Sequence, residues 1–144
     1  MINPKLHTTE HIMWQVFKSK LNQFRSKSLQ FTDQYCRFDF FTKQELSQKN
    51  LEELTRLVDG VINQHLEIVT EMISRKNAQG ITDLSLIPKS IDSVRIVRIG
   101  NFSIEACAGE HVKNTSEIGE FQIVEFKKIG KDTFRIKFTL DNLN

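Results

Sequence analysis

The sequence lacks the features that define several protein classes. Its 144 residues contain only two cysteines, Cys36 and Cys107, so at most one disulfide could form and a disulfide framework is excluded. No apolar run is long enough to cross a bilayer, and no secretory hydrophobic segment precedes the first predicted helix. We therefore expect a cytoplasmic protein with reduced thiols and no membrane association.

An excess of charge of one sign is also missing. The chain has 20 Lys and Arg residues against 18 Asp and Glu residues, which gives a formal net charge of +2. A protein that binds duplex nucleic acid by charge alone is usually more basic, so the composition permits a nucleic-acid partner without requiring one. The content of 39% hydrophobic residues is typical of a globular protein, and the length predicts a single domain over residues 1–144.

What the chain does contain is two short pairs of metal-binding residues. His7 and His11 form one pair and Cys107 and His111 the other, which accounts for four of the six histidines and cysteines. Three imidazoles and one thiolate are the number and type of ligands that tetrahedral Zn²⁺ takes. The residues leave an alternative open, because the two histidines avoid the apolar stripe of their helix and would also suit a solvated surface. Cys107 would equally suit a strand end as a small buried side chain.

Hydrophobic periodicity predicts an α+β fold. We expect a mostly antiparallel sheet packed with two main helices, and a zinc site between the N-terminal helix and the C-terminal sheet. Asn3 and Pro4 are typical of a helix start. For residues 66–72 a continued helix competes with a strand, and alternation assigns Cys36 and His65 to strands. The predicted helices cover 6–27 and 46–63, and the predicted strands cover 30–32, 35–41, 66–72, 94–99, 102–106, 121–126 and 134–140.

Several motifs occur in a recognisable order. They read HTTEHIM from residue 7, RFDF from 37, VIN from 61, VRIVRIG from 94, CAGEHV from 107 and NTSEIGEF from 114. This series, which covers most of the chain, resembles the editing domain of alanyl-tRNA synthetase and its free-standing homologues, a family related to the threonyl-tRNA synthetase editing domain.

The resemblance implies a zinc-dependent aminoacyl-tRNA deacylase, which hydrolyses the ester of a wrong amino acid at the tRNA 3′ end. The usual substrates are Ser or Gly on alanine tRNA. It also implies that His7, His11, Cys107 and His111 are the zinc ligands. The motifs include none from the aminoacylation and tRNA-recognition domains of a synthetase, so we expect no aminoacylation, and the expected activity is editing in trans. Two alternatives are a non-catalytic zinc-binding module of the same fold and a zinc hydrolase of another aminoacyl ester.

The chain departs from the family pattern at Ala108, Glu110 and Ser116, which leaves the edited amino acid and tRNA open; the oligomeric state is open as well. Glu110 is a candidate proton acceptor from the attacking water, or else a solvated carboxylate or a partner of a ligand imidazole. The candidates for binding the substrate are Gln30, Thr32, Arg95, Arg98 and Arg135. Further basic candidates, each with the alternative of an ordinary solvated charge, are Lys113 and, on the predicted first helix, Lys18, Lys20, Arg25 and Lys27.

Overall fold

The computed structural model describes residues 2–143, and the predicted α+β class is confirmed. Three helices are present in this part of the chain: α1 (Pro4–Lys20), α2 (Gln48–Ile62) and the short α3 (Arg75–Ala78). The seven strands are β1 (Arg25–Phe31), β2 (Cys36–Phe41), β3 (Ile68–Ser74), β4 (Ser93–Ile99), β5 (Ser103–Ala106), β6 (Phe121–Gly130) and β7 (Thr133–Leu140). None of the helices described is long and apolar enough to span a bilayer.

The strands form two antiparallel sheets rather than one. The first has the order β1-β2-β7-β6 and the second the order β3-β4-β5. In the first sheet Phe38 lies opposite Ile136, and Phe40 lies opposite Phe134. These side chains point to the same face of the sheet because strand residues alternate, and all four are buried.

Helix α1 begins where the sequence indicates. The side chain of Asn3 accepts a hydrogen bond from the backbone of Lys5, and Pro4 opens the first turn, as expected of a helix N-terminus. The predicted extension to residue 27 is wrong, because α1 ends at Lys20 and Gln23 adopts a φ of 51° in the turn that follows. Phe24 fits the helical spacing, yet it reaches the core from this turn.

One buried hydrophobic cluster contains side chains from α1, from α2 and from both sheets. It includes Phe17 of α1, Val58 of α2, Phe38 of β2 and Val97 of β4. Helix α2 begins with a reciprocal capping box, in which the Ser47 hydroxyl accepts from the backbone of Asn50 and the Asn50 side chain accepts from the backbone of Ser47. That both sheets share a core favours the single domain over 1–144, which stays a prediction.

Two assignments around the end of α2 have different outcomes. The strand predicted over residues 66–72 is confirmed as β3, and the continued helix is wrong. The strand assignment of His65 is also wrong, because this residue is exposed in the turn after α2 with a φ of 53°. Cys36 is buried in β2 as predicted.

Candidate metal centre

The structure brings the four predicted ligands together. His7 and His11 lie one turn apart on α1, while Cys107 and His111 lie in the segment after β5. One nitrogen or sulfur atom from each lies within 4.8 Å of those of the other three. In a tetrahedral zinc site neighbouring donor atoms are about 3.5 Å apart, so a small contraction of this group would hold a metal ion.

Both helical histidines are buried, so the interpretation of a solvated helix face is wrong. His7 is 8% exposed and His11 is 3% exposed. Every residue from 6 to 13 is buried, because the first half of α1 lies within the fold and contacts α2 and β5. Polar side chains on a buried helix face need hydrogen-bond partners or a metal ion.

The Nδ1 atoms of His7 and His11 each lie close to an acceptor oxygen. His7 Nδ1 lies 3.2 Å from the carbonyl oxygen of Glu110, and His11 Nδ1 lies 2.8 Å from a carboxylate oxygen of Glu105. Because both oxygens are acceptors, Nδ1 is the nitrogen that carries the proton when each ring is neutral, and Nε2 is then the nitrogen available to a metal ion. His7 Nε2 lies 3.4 Å from the sulfur of Cys107.

His111 is arranged in the same way. Its Nδ1 lies 3.0 Å from the hydroxyl oxygen of Thr8, which also accepts the backbone N–H of Val112. Its Nε2 is buried and makes no hydrogen bond within residues 2–143. A buried nitrogen without a partner is costly, and a metal ion at the cluster would remove that cost. The residues present therefore fit a metal ion, with three Nε2 atoms and one sulfur as donors.

The electrostatics of the cluster favour the ligand forms of Cys107 and His111. Burial opposes ionisation of Cys107, but the nearby side chains of His11, His111 and His7 outweigh it and lower the pKa of the thiol to about 3. The thiolate is the form that binds metals. Burial lowers the pKa of His111 and keeps its ring neutral. Burial also opposes the charged form of His11, yet the nearby Cys107 and Glu105 side chains outweigh it and raise its pKa to about 10.

The segment that carries the second pair is fixed from two sides. Arg95 of β4 donates hydrogen bonds to the carbonyl oxygens of Cys107, at 2.9 Å, and of Gly109, at 2.6 Å. Gly109 packs so closely on His7 that an added Cβ would lie 2.6 Å from its Nδ1 and closer still to its Cε1. Glycine is thus required sterically at this position.

Three polar residues at the site were not predicted from the sequence. Thr8 and Glu105 hold ligand imidazoles, as described above. The carboxylate of Glu10 lies 4.0 Å from His11 Nε2, and burial, the largest influence, raises its pKa to about 7. Their position in the sequence could have indicated a role at the site, because Thr8 and Glu10 lie between the paired histidines and Glu105 lies two residues before Cys107.

Of the predicted catalytic and substrate-binding residues, only two touch the ligand segment. Arg95 clamps it, and Glu110 contributes its carbonyl while its residue remains exposed. Arg98 pairs with Glu71 and, by strand alternation, points to the face of the sheet opposite Arg95.

The other candidates lie farther from the ligands. Gln30 pairs with Arg37, and Arg135 forms two hydrogen bonds with Asp39, on the face of the first sheet that points away from the buried phenylalanines. Thr32 caps the turn between β1 and β2 by accepting from the backbone of Gln34 and Tyr35. Lys18, Lys20 and Lys113 are exposed. The placement of Arg25 and Lys27 on the first helix is wrong, since both lie on β1.

Comparisons with known proteins connect this geometry to a family. Residues 94–137 match the family described as the threonyl and alanyl tRNA synthetase second additional domain. The chain is 34% identical over 135 residues to the alanine–tRNA ligase of Lysinibacillus sphaericus (strain C3-41), and the match covers 92% of this chain. It is 32% identical to the same enzyme of Bacillus subtilis (strain 168) and 30% identical to that of Ligilactobacillus salivarius (strain UCC118), again over 92% of the chain. The chain spans only 15% of the length of these relatives. The chain thus matches this family over residues 94–137 and is similar, over nearly its whole length, to one segment of the alanine–tRNA ligases, as the motifs predicted.

Proposed function

We propose that this chain is a deacylase that edits mischarged tRNA in trans and removes Ser or Gly from alanine tRNA. The observation that carries the proposal is the convergence of three histidine side chains and one cysteine side chain, of which His7 and His11 are buried and Cys107 and His111 are half-buried. The relationship to alanine–tRNA ligases supports tRNA as the partner.

The metal proposed for the site is zinc. His7, His11, Cys107 and His111 would hold it, because a set of imidazoles and a thiolate is softer than the oxygen ligands that Mg²⁺ or Ca²⁺ prefers. A bound zinc ion supplies a Lewis acid beside the scissile ester. The surrounding residues Thr8 and Glu105 fix the orientation of two ligand rings.

In this proposal Glu110 accepts the proton of the attacking water. Its carboxylate is exposed on the segment between Cys107 and His111, while its backbone carbonyl holds His7. A carboxylate on this segment would be available to a water molecule that approaches the cluster from solvent. Hydrolysis by Glu110→Gln tests this role, and a rate equal to that of the unmodified protein removes Glu110 from the mechanism.

The RNA end would approach as a single strand, for which stacking and backbone charge dominate binding. Phe31 lies with its ring centroid 5.8 Å from that of His7 and is half-buried, so it offers a surface for stacking beside the cluster. The exposed Lys113, two residues after His111, offers a positive charge. Binding of charged tRNA is expected to weaken as salt rises, and affinity that stays constant from low to high salt argues against RNA as the partner.

The test of the function is deacylation of alanine tRNA charged separately with Ser, Gly and Ala. We expect the protein to hydrolyse the first two faster than the third, and Cys107→Ala to abolish the difference. One observation favours a second candidate, a non-catalytic zinc module, because four protein ligands leave no open position, as in structural sites. Zinc-loaded protein that turns over none of the three substrates would favour that module. Turnover of a different aminoacyl ester would indicate the third candidate.

A further inference from the structure

A cleft of about 660 Å³ opens beside the ligand cluster. It lies between α1, the start of β1, the end of β5 and the irregular segment after α3. Its volume is in the range of small-molecule sites. Glu10 and Trp14 contribute to its wall from α1, Ser26 from β1 and Glu105 from β5.

Glu10 is a buried carboxylate that lines this cleft without a hydrogen-bond partner. The residue is 9% exposed. Within residues 2–143 its side chain makes no hydrogen bond, and its one contact with a basic group is the 4.0 Å approach to His11 Nε2. A buried carboxyl group without a hydrogen-bond partner is costly, so this position favours a ligand that supplies one.

The lysine in the cleft does not supply the missing partner. Lys18 lies at the exposed end of α1, and its ammonium nitrogen lies 5.0 Å from the centroid of the Trp14 ring. It forms no ion pair with Glu10 in the described part of the chain. The carboxylate of Glu10 is therefore available to the cationic group of a bound ligand.

Glu105 also lines the cleft, but one of its carboxylate oxygens lies 2.8 Å from His11 Nδ1. Of these two carboxyl groups, Glu10 is therefore the one left to contact a bound ligand.

We propose that Glu10 binds the α-ammonium group of the substrate's aminoacyl end. This inference rests on the proposed deacylase function and adds the residue that recognises the amino acid as an amine. A hydrogen bond between an ammonium group and a carboxylate is charge-assisted and therefore stronger than one between neutral groups. The aminoacyl group would occupy the inner cleft with Trp14 as one wall, so the ester would lie next to the cluster.

The test uses two adenosine derivatives that the protein cannot hydrolyse. One carries L-serine through an amide at the 3′ position, and the other carries the same acyl group without its amine. Binding of both to the purified protein is measured by calorimetry in an amine-free buffer. We expect the serine derivative to bind about 10- to 100-fold more tightly, the size of one hydrogen bond to a charged group.

Glu10→Gln should remove this preference and leave the affinity for the derivative without the amine unchanged. Glu52→Gln, which removes an exposed carboxylate from α2, is the matched control and should retain the preference. Equal binding of the two derivatives to the unmodified protein overturns the inference, whether or not the variant folds. A preference that survives in Glu10→Gln overturns it as well.

Deacylation of Ser-charged tRNA, measured in parallel, separates this inference from the proposed function. Hydrolysis without any preference for the amine means that the function stands and the role of Glu10 is wrong. A Glu10-dependent preference without hydrolysis means that the recognition stands and the deacylase proposal is wrong. If neither derivative binds and no charged tRNA is hydrolysed, both are wrong.

Discussion

Arg95 and Gly109 are joined by a 2.6 Å hydrogen bond from the guanidinium of the first to the backbone carbonyl of the second. The same nitrogen of Arg95 donates to the carbonyl of Cys107. Since Gly109 packs directly on the ring of His7, Arg95 fixes the segment that joins the two pairs of ligands. The geometry of the metal centre thus depends on a residue of β4 that binds no metal itself.

Replacing Arg95 by Met should weaken zinc binding about 10- to 100-fold, the usual effect of losing a residue that orients metal ligands. The measurement is a competition titration against a chromophoric chelator. Arg98→Met is the matched control, because Arg98 pairs with Glu71 on the other face of the sheet, and it should leave zinc affinity unchanged. Equal zinc affinity in Arg95→Met and the unmodified protein, together with weaker RNA binding, would instead favour a direct role of Arg95 on phosphates.

Replacing Gly109 by Ala should also disrupt the centre. The new methyl group would overlap the ring of His7, so either that ring or the ligand segment must move, and zinc affinity should fall at least tenfold. Gly60→Ala provides the control, since a Cβ there meets no atom within 4 Å and Gly60 lies inside α2. That variant should retain zinc and gain about 0.5–1 kcal/mol of stability from helix propensity. Unchanged zinc binding in Gly109→Ala would contradict the close packing.

The two cysteines should respond differently to substitution. The purified protein should contain about one zinc per chain, and Cys107→Ser should lose it and unfold at a lower temperature, because metal binding stabilises the folded state that holds it. Cys36→Ala should keep its zinc, since Cys36 is buried in β2 and burial raises the pKa of its thiol. The measurements are the metal content, by elemental analysis, and the melting temperature of the unmodified protein and of each variant. Protein without zinc, or a Cys107→Ser variant that retains it, would contradict the ligand assignment.

The sequence predicted the ligands but not the groups that orient them. His7, His11, Cys107 and His111 were visible because few residue types bind zinc and their spacing repeats. Thr8, Glu10 and Glu105 are polar residues of common types, and their role depends on burial that spacing does not reveal. The helix face that carries the histidines looked solvated because the apolar stripe lies elsewhere. The structure buries that face because the second sheet and the ligand segment cover it.

Which helices and strands are present was predicted better than the residues at which they begin and end. Helix α1 was extended too far because Leu21 and Phe24 continue its apolar spacing. Phe24 packs on Trp14 and Phe17 of the helix and on Phe38 of β2, so it belongs to the core although it lies beyond the end of the helix. Periodicity indicates which side chains are buried, but it does not show whether the backbone that carries them is helical. For the same reason, alternation predicted strands without predicting that they divide into two sheets.

Asp39 and Arg135 provide a prediction on stability that is independent of the metal. Nε and one terminal nitrogen of the guanidinium lie 2.8 and 2.9 Å from the two carboxylate oxygens, and Asp39 is 7% exposed. The hydrogen bonds from Arg135, the largest influence, hold the pKa of Asp39 below its ordinary value. Asp39 is the more buried partner of this pair, and its substitution leaves the half-buried Arg135 without its counter-ion, so Asp39→Asn should lower the free energy of unfolding at pH 7 by about 1–3 kcal/mol.

The pH dependence of this difference has a definite sign. Because the pKa of Asp39 is lower in the folded state than in the unfolded chain, its contribution is fully present above the unfolded value of about 4 and is lost as the pH falls through the lower folded value. Urea unfolding of the unmodified protein and Asp39→Asn should therefore give curves whose difference is constant from pH 7 to about 5 and shrinks below about 4. Glu125→Gln, which breaks a looser pair with Lys137 at 3.8 Å, should change stability by less than about 0.5 kcal/mol. A difference for Asp39→Asn that stays constant down to pH 2 would show that the carboxylate charge is not what stabilises the pair.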